Sequence, residues 1–297
     1  MTDNFKDNID KQLDFNKGKN LFHDHAAQSL RFLQDTIDQI YNFKTVSDDQ
    51  EQLLVDYATD KVLEEFCRVN QYISFTKEDK ENLRHIYSAL FNDIQNHEHD
   101  ADALAATHYQ RLKVWLETSN PSFEIIYKNE GFIINPVACS EYSAKLQLEI
   151  LHIDYTSLME PILDIGCGKE AKLVRFLRSK GLEAFGFDRL AVDESYIYKN
   201  DWLEFEYVTG KWGTIISNLG FSNHFHHHHL RNDGNFLGYA KKYMEILNSL
   251  RDGGRFHYAP GLPFIEQYLP AEKFRLTTYS LNNNTFTSSV IMKINQP

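Results

Sequence analysis

The sequence predicts an α/β carboxy-terminal domain preceded by an all-α amino-terminal one. Three observations carry this. Residues 161–188 run as an apolar stretch, a glycine turn, a helix-period stretch and a second apolar stretch. Strand-like and helix-like runs then keep alternating up to residue 294. Ahead of Asn120-Pro121, by contrast, apolar residues recur by threes and fours.

Residues 1–20 are polar, and the spacing predicts no firm element there. Leu30, Leu33, Ile37, Ile40 and Tyr41 predict a helix over 26–43, with His23-Asp24-His25 at its entrance rather than as a metal site. Ser47 and Gln50 form a capping box for a second helix, whose expected buried stripe is Leu53, Leu54, Tyr57, Ala58, Val62, Leu63 and Phe66. Thr76 and Asp79 cap a third, carrying Leu83, Ile86, Tyr87, Leu90 and Ile94. A fourth spans 102–118 with Leu104, Leu112 and Trp115. His97-Glu98-His99 falls in a polar linker, and no third ligand is placed by spacing. Together these helices predict a bundle that serves as a lid, a substrate domain or a partner-binding domain.

Two apolar runs, 123–127 and 132–135, flank Lys128-Asn129-Glu130-Gly131 and predict a β-hairpin. The Asn135-Pro136 break sets the expected boundary, giving domains 1–135 and 136–297. A helix follows over 141–153.

In the central unit, Pro161-Ile162-Leu163-Asp164-Ile165 is a strand that stops at Gly166-Cys167-Gly168. Leu173, Val174, Phe176 and Leu177 mark the next helix, which Gly181 ends. Ala184-Phe185-Gly186-Phe187 is the second strand and finishes on Asp188 and Arg189. Two glycines let main chain turn tightly and lie bare against a ligand. The helix start offers free N–H groups, and a carboxylate about twenty residues on can take both ribose hydroxyls. The pattern therefore predicts a nucleoside cradle. Gly166, Gly168 and Ala171 also satisfy the dinucleotide spacing, so NAD stays open at this point. Asp164, two residues before the first glycine, would repel a pyrophosphate and suit a cationic ligand.

Residues 163–168 together with Phe185-Gly186-Phe187-Asp188 resemble the first motif and the acidic second-strand tip of class I S-adenosylmethionine-dependent methyltransferases. The resemblance covers 136–297 and implies a Rossmann-like seven-stranded sheet with an antiparallel last strand. It implies S-adenosyl-L-methionine as cofactor, held around Asp164, Gly166, Cys167 and Gly168, with Asp188 and Arg189 at the ribose. It implies further that Asp201 after the third strand meets the adenine amine, beside the Trp202 indole. In that family the helix before the first strand often covers the methionine end, which adds Tyr142, with Glu141, Ser143 and Gln147. A plain packing helix is the alternative there.

The fourth strand, 211–218, opens into a loop over 219–229 that contains His224, His226, His227, His228 and His229. Ligands of parallel sheets lie beyond the carboxyl ends of the strands, so this loop should face the transferred methyl. Asn218, His224 and His226 are the expected catalytic or substrate-positioning residues, because a neutral imidazole can take a proton near neutrality. A bland polar loop and a metal site on one helical face remain alternatives; no metal is expected. The family's Asn/Asp-Pro-Pro-aromatic motif is absent, and Ser217-Asn218-Leu219-Gly220 stands in its place, which counts against nucleobase N-methylation. A helix over 235–250, a strand over 255–259 and a short helix over 264–269 follow. A hairpin, 274–279 with 288–294 around Asn282-Asn283-Asn284, completes the sheet.

A net charge of −11 argues against a nucleic-acid substrate. No run of about eighteen apolar residues predicts a membrane span. Cys67, Cys139 and Cys167 lack paired spacing and read as reduced thiols of a cytoplasmic protein. The expected activity is methyl transfer to a small molecule. A non-catalytic S-adenosylmethionine-binding sensor is the alternative, and an NAD enzyme is the third reading.

Overall fold

The computed structural model describes residues 2–23, 26, 30–42, 48–96, 101–134, 136, 142–281 and 286–294. It divides into two compact units, Met1–Cys139 and Ser140–Pro297. Expectations that involve Asp24, His25, Ser47, 97–99, Asn135, Cys139, Glu141 and the 282–284 turn lie outside the described residues.

The first unit is built of α1 (Thr2–Asn16), α2 (Gln34–Asn42), α3 (Asp48–Val69), α4 (Lys77–Asn96), α5 (Ala101–Ser119) and α6 (Ser122–Tyr127). Two expectations are corrected here. Residues 2–16 are helical rather than loosely ordered. Their buried face is Phe5, Asn8 and Gln12, at helical spacing but two-thirds polar, so hydropathy does not register it. Gln12 bonds the Arg31 carbonyl at 2.8 Å and the Leu33 N–H at 2.7 Å. Those bonds hold 30–33 outside the helix, which is why α2 starts at Gln34 and not at 26.

The second correction is the hairpin. Residues 122–127 are α6, because a helix puts Phe123 and Tyr127 on one buried face with ring centroids 4.4 Å apart. Among the described residues, an isolated bridge, Lys19 to Ile133, is what remains of the expected strands. The Thr76–Asp79 box does form: Thr76 Oγ1 accepts from the Asp79 N–H at 3.1 Å, and Asp79 Oδ2 accepts from the Thr76 N–H at 2.8 Å. Leu54, Leu83 and Leu116 sit at the centre of a single core.

The second unit holds α7 (Ala144–Ile150), β1 (Ile162–Ile165), α8 (Lys172–Ser179), β2 (Ala184–Asp188), β3 (Ile197–Lys199) and β4 (Trp212–Asn218). It continues with α9 (Phe221–Leu230), α10 (Phe236–Ser249), β5 (Leu250–Ala259), α11 (Pro263–Glu266), β6 (Phe274–Leu281) and β7 (Phe286–Lys293). The seven strands lie in the order β3-β2-β1-β4-β5-β7-β6. β1, β2, β3, β4 and β5 are mutually parallel, whereas β7 is antiparallel to both its neighbours.

Every residue of β1 is buried, as a strand covered on both faces requires. Leu163 and Ile165 join one core with α9 and α10; Ile162 joins the other with α7 and α8. The helix α8 approaches β2 closely at Gly186, where a Cβ would lie 2.6 Å from the Val174 Cγ2. A further correction concerns 219–229. The expected loop is the helix α9, which follows Ser217: the Ser217 hydroxyl donates to the Ile165 carbonyl at 3.0 Å and accepts the Phe221 N–H at 3.1 Å.

Candidate functional site

The cradle is assembled at the carboxyl ends of β1, β2 and β4. After Ile165 the chain reverses through Gly166 and Gly168, whose φ angles of +75° and +76° are left-handed and favour glycine. The Gly166 and Cys167 N–H groups donate to the Phe187 carbonyl at 2.9 and 3.1 Å, tying the turn to β2. The Gly168 N–H donates to Asp188 Oδ2 at 3.1 Å, and the Leu190 N–H donates to Oδ1 at 2.8 Å. These bonds fix the plane of the Asp188 carboxylate at the strand tip. Cys167 presents main chain to the turn, while its side chain is buried against Gly186 in the core beside α8.

Asp164 is 1% exposed, and its Oδ2 has no hydrogen-bond partner. Burial, assisted by the nearby Asp188 charge, pushes its carboxyl up to about 7. A buried carboxylate with an orphaned oxygen is unfavourable until a donor or a cation meets it.

Trp202 forms one wall. Its ring carbon lies 3.1 Å from where a Gly166 Cβ would stand and 3.7 Å from the same point on Gly220. The indole N–H donates to the Tyr239 hydroxyl at 3.3 Å, and the ring meets His224 edge-on at 4.6 Å. Asp201 Oδ1 accepts the Leu203 N–H at 2.8 Å, so this carboxylate also organises the turn after β3. At the end of β4, Asn218 Oδ1 is buried without a hydrogen-bond partner. Tyr142 accepts on its carbonyl from the Gln147 side chain at 2.9 Å, just before α7.

No protein-family model and no curated protein matches the chain. Among solved structures, an rRNA methylase from Streptococcus thermophilus aligns over 53% of this chain and 100% of its own, at 16% identity and a TM-score of 0.36. A plantazolicin methyltransferase solved with SAH aligns over 51% and 84%, at 14% identity and 0.37. A tRNA (m1A58) methyltransferase from Aquifex aeolicus aligns over 53% and 72%, at 11% identity and 0.34. The deciding observation is internal: five parallel strands extended by an antiparallel β7, in the order 3-2-1-4-5-7-6, with the glycine turn after β1. The carboxy-terminal unit has the class I methyltransferase fold.

In this methyltransferase fold the histidines part company. His224 is 3% exposed, and burial, then the Arg189 charge and then His228 and His227 hold it well below the ordinary imidazole range. It is neutral at any physiological pH, and a weak base. His226, two residues on, is exposed and lies near Phe264, 6.1 Å between ring centroids. Two residues on a helix do not share a face, so the structure separates His226 from His224. His228 does share that face, but its Nδ1 accepts the Asn235 N–H at 3.1 Å, and its ring stacks on Tyr239 at 4.7 Å. Among the described residues, no group of three or more His, Cys, Asp or Glu could hold a metal ion.

The structure thus brings Asp164, Gly166, Gly168, Asp188, Trp202 and, through Trp202, His224 together at the carboxyl ends of the strands. Sequence reasoning missed Ser217, Gly220 and Tyr239, which respectively join β1 to α9, seat the indole and pin it. Ser217 and Gly220 had a readable signal, since they stand where the family's Asn/Asp-Pro-Pro-aromatic motif would be; Tyr239 had none.

Proposed function

We propose that this protein transfers the methyl group of S-adenosyl-L-methionine to a small-molecule acceptor. The observation that carries this reading is the buried Asp164 with its unpartnered oxygen beside a glycine turn. A cationic ligand relieves that carboxylate, whereas the diphosphate of a dinucleotide would aggravate it. Asp188, plane fixed by two N–H donors, is suited to hold ribose hydroxyls, and the indole of Trp202 offers a surface for an adenine. Asp201 is the candidate acceptor for the adenine amine, and Tyr142 for the methionine end. The antiparallel β7 is also foreign to the dinucleotide fold.

When bound, the cofactor supplies a methyl already activated by its sulfonium. What remains for the chain is to exclude water and orient the acceptor along the methyl–sulfur axis. Asn218, with its unpartnered buried oxygen at the end of β4, is the better placed anchor for an acceptor N–H or O–H. His224, held neutral, serves as a hydrogen-bonding wall rather than a strong base, and His226 as a residue of the entrance. The acidic net charge of −11 favours a small acceptor over a nucleic acid.

Calorimetric titration tests the cofactor. S-adenosylmethionine and S-adenosylhomocysteine should bind, NAD should not, and Asp188→Ala should weaken the first two. Equal binding of NAD would overturn the reading. Transfer of a labelled methyl to a metabolite pool, reduced in Asn218→Ala, tests the chemistry. The weakness of His224 as a base favours one second reading, a sensor that binds the cofactor without turnover; it predicts binding with no labelled product from any pool.

A further inference from the structure

The helical unit has a partly open cavity of about 120 Å³ lined from α1, α2, α3, α4, α5 and α6. Its walls are mostly apolar, with Leu13, Val62, Leu90 and Leu112 among them. Polar side chains line it too, among them Gln12, Asn16, Lys19 and Glu65, and two of the lining residues keep a buried polar atom without a partner. His108, 2% exposed, has a buried Nδ1 without a hydrogen-bond partner; Thr36 has an Oγ1 in the same condition. The His108 ring is packed by aromatic neighbours, with Phe32, Tyr87 and Tyr109 at 5.6, 5.1 and 5.3 Å.

A simple packing defect does not account for this combination. Interiors are close-packed, and buried polar atoms nearly always find partners. Here two residues with unpartnered polar atoms line the same unfilled space. Other polar side chains at the cavity are bonded: Gln12 to main chain through both its amide groups, Lys19 to Asn16, and Glu65 to Arg68. Its volume of about 120 Å³ is close to the roughly 150 Å³ of an apolar cavity that admits benzene, and its open side gives a ring further room. A neutral imidazole needs a donor or an acceptor at Nδ1 according to its tautomer, and a hydroxyl can be either. The same hydroxyl suits Thr36.

We propose that this cavity is a binding site for a compact aromatic ring bearing one hydroxyl, a phenol-class ligand whose oxygen meets His108 or Thr36. The site lies wholly within the helical unit, so it does not depend on the cofactor reading above. It gives that unit a small-molecule function of its own.

The test uses the full chain with phenol, benzene and cyclohexane as probes, followed by ligand-observed NMR and by thermal denaturation. Phenol should bind at least tenfold more tightly than benzene and raise the melting temperature; cyclohexane should do neither. Ala58→Leu, which grows a buried wall residue into the space, should abolish phenol binding while the protein stays folded. His108→Leu should bring phenol down to the affinity of benzene. No binding of phenol, equal affinity for phenol and benzene in the wild type, or undiminished binding in Ala58→Leu would each overturn the proposal. Titration with S-adenosylmethionine on the same samples reports separately on the sheet unit.

Discussion

Asp164 and His108 are the same physical problem solved in two surroundings. Each is sealed in the core of its unit, and each keeps one polar atom without a protein partner. Asp164 stands at a strand end, beside a second carboxylate and a turn of bare main chain. His108 stands in mid-helix, inside an aromatic cage, near the ion pair of Arg111 with Asp93 at 2.7 Å. The first environment asks for positive charge; the second asks for a neutral hydrogen-bonding group. Burial alone therefore does not define a site, and its neighbours decide what can enter it.

The two groups pull stability in opposite directions with pH, which gives the largest expected effect. Burial, reinforced by Arg111 and opposed by Asp93, lowers His108 from 6.5 to about 3. Above 6.5 both folded and unfolded states are neutral. As pH falls from there towards 3, only the unfolded state takes up the proton, so stability is lost, by at most about 5 kcal/mol. Hydrogen exchange of the helical unit should show that His108→Leu gains on the wild type progressively below pH 6.5. A constant difference between pH 7.5 and 5 would break the comparison.

Asp164 works the other way. Its folded value of about 7 lies above the ordinary 3.8. Below 3.8 both states are protonated; between 3.8 and 7 only the folded state holds its proton, so stability declines as pH rises through that window, by at most about 4 kcal/mol. Asp164→Asn should abolish this decline in the sheet unit and be the more stable protein at pH 8. It should also lose affinity for S-adenosylmethionine by roughly ten- to hundredfold. Stabilisation with undiminished affinity would leave Asp164 as a mere liability and remove the distinction.

Smaller effects sharpen the contrast between the units. Ser217→Ala removes the hydroxyl that donates to Ile165 and accepts from Phe221, and should cost about 1–3 kcal/mol in the sheet unit. Faster exchange of the Phe221 amide would locate the damage at the start of α9. Thr76→Ala opens the exposed cap of α4 and should cost about 1 kcal/mol, confined to the helical unit. Cofactor titration should not register it.

Much of the fold was legible because its signals are local. The glycine turn after β1, Asp188 at the tip of β2, and the apolar stripes of α3, α4 and α5 are periodicities and spacings within short windows. The misreadings also have local causes. Residues 2–16 conceal a helix because two of the three buried positions of its face are the polar Asn8 and Gln12, the latter bonded to main chain at Arg31 and Leu33. Residues 123–127 look like a strand because a run of Phe, Ile and Tyr suits either element; the ring contacts of Phe123 with Tyr127 and Phe22 choose the helix. The histidine run reads as a loop because its buried members, His224 and His228, are no more apolar than His226, which is exposed.

By itself the sequence determined the sheet with its glycine turn, the helical character of the first unit and the residues offered at the strand ends. Spacing is enough for those, since turns, strands and helices repeat along the chain. Tertiary structure decided which of those residues are buried, and with that which carry charge. Asp164 becomes a sealed carboxyl with an unpartnered oxygen, His224 a buried imidazole and His108 the lining of a cavity only when other segments close over them. The dielectric and the neighbours around a side chain are set by residues far away in sequence.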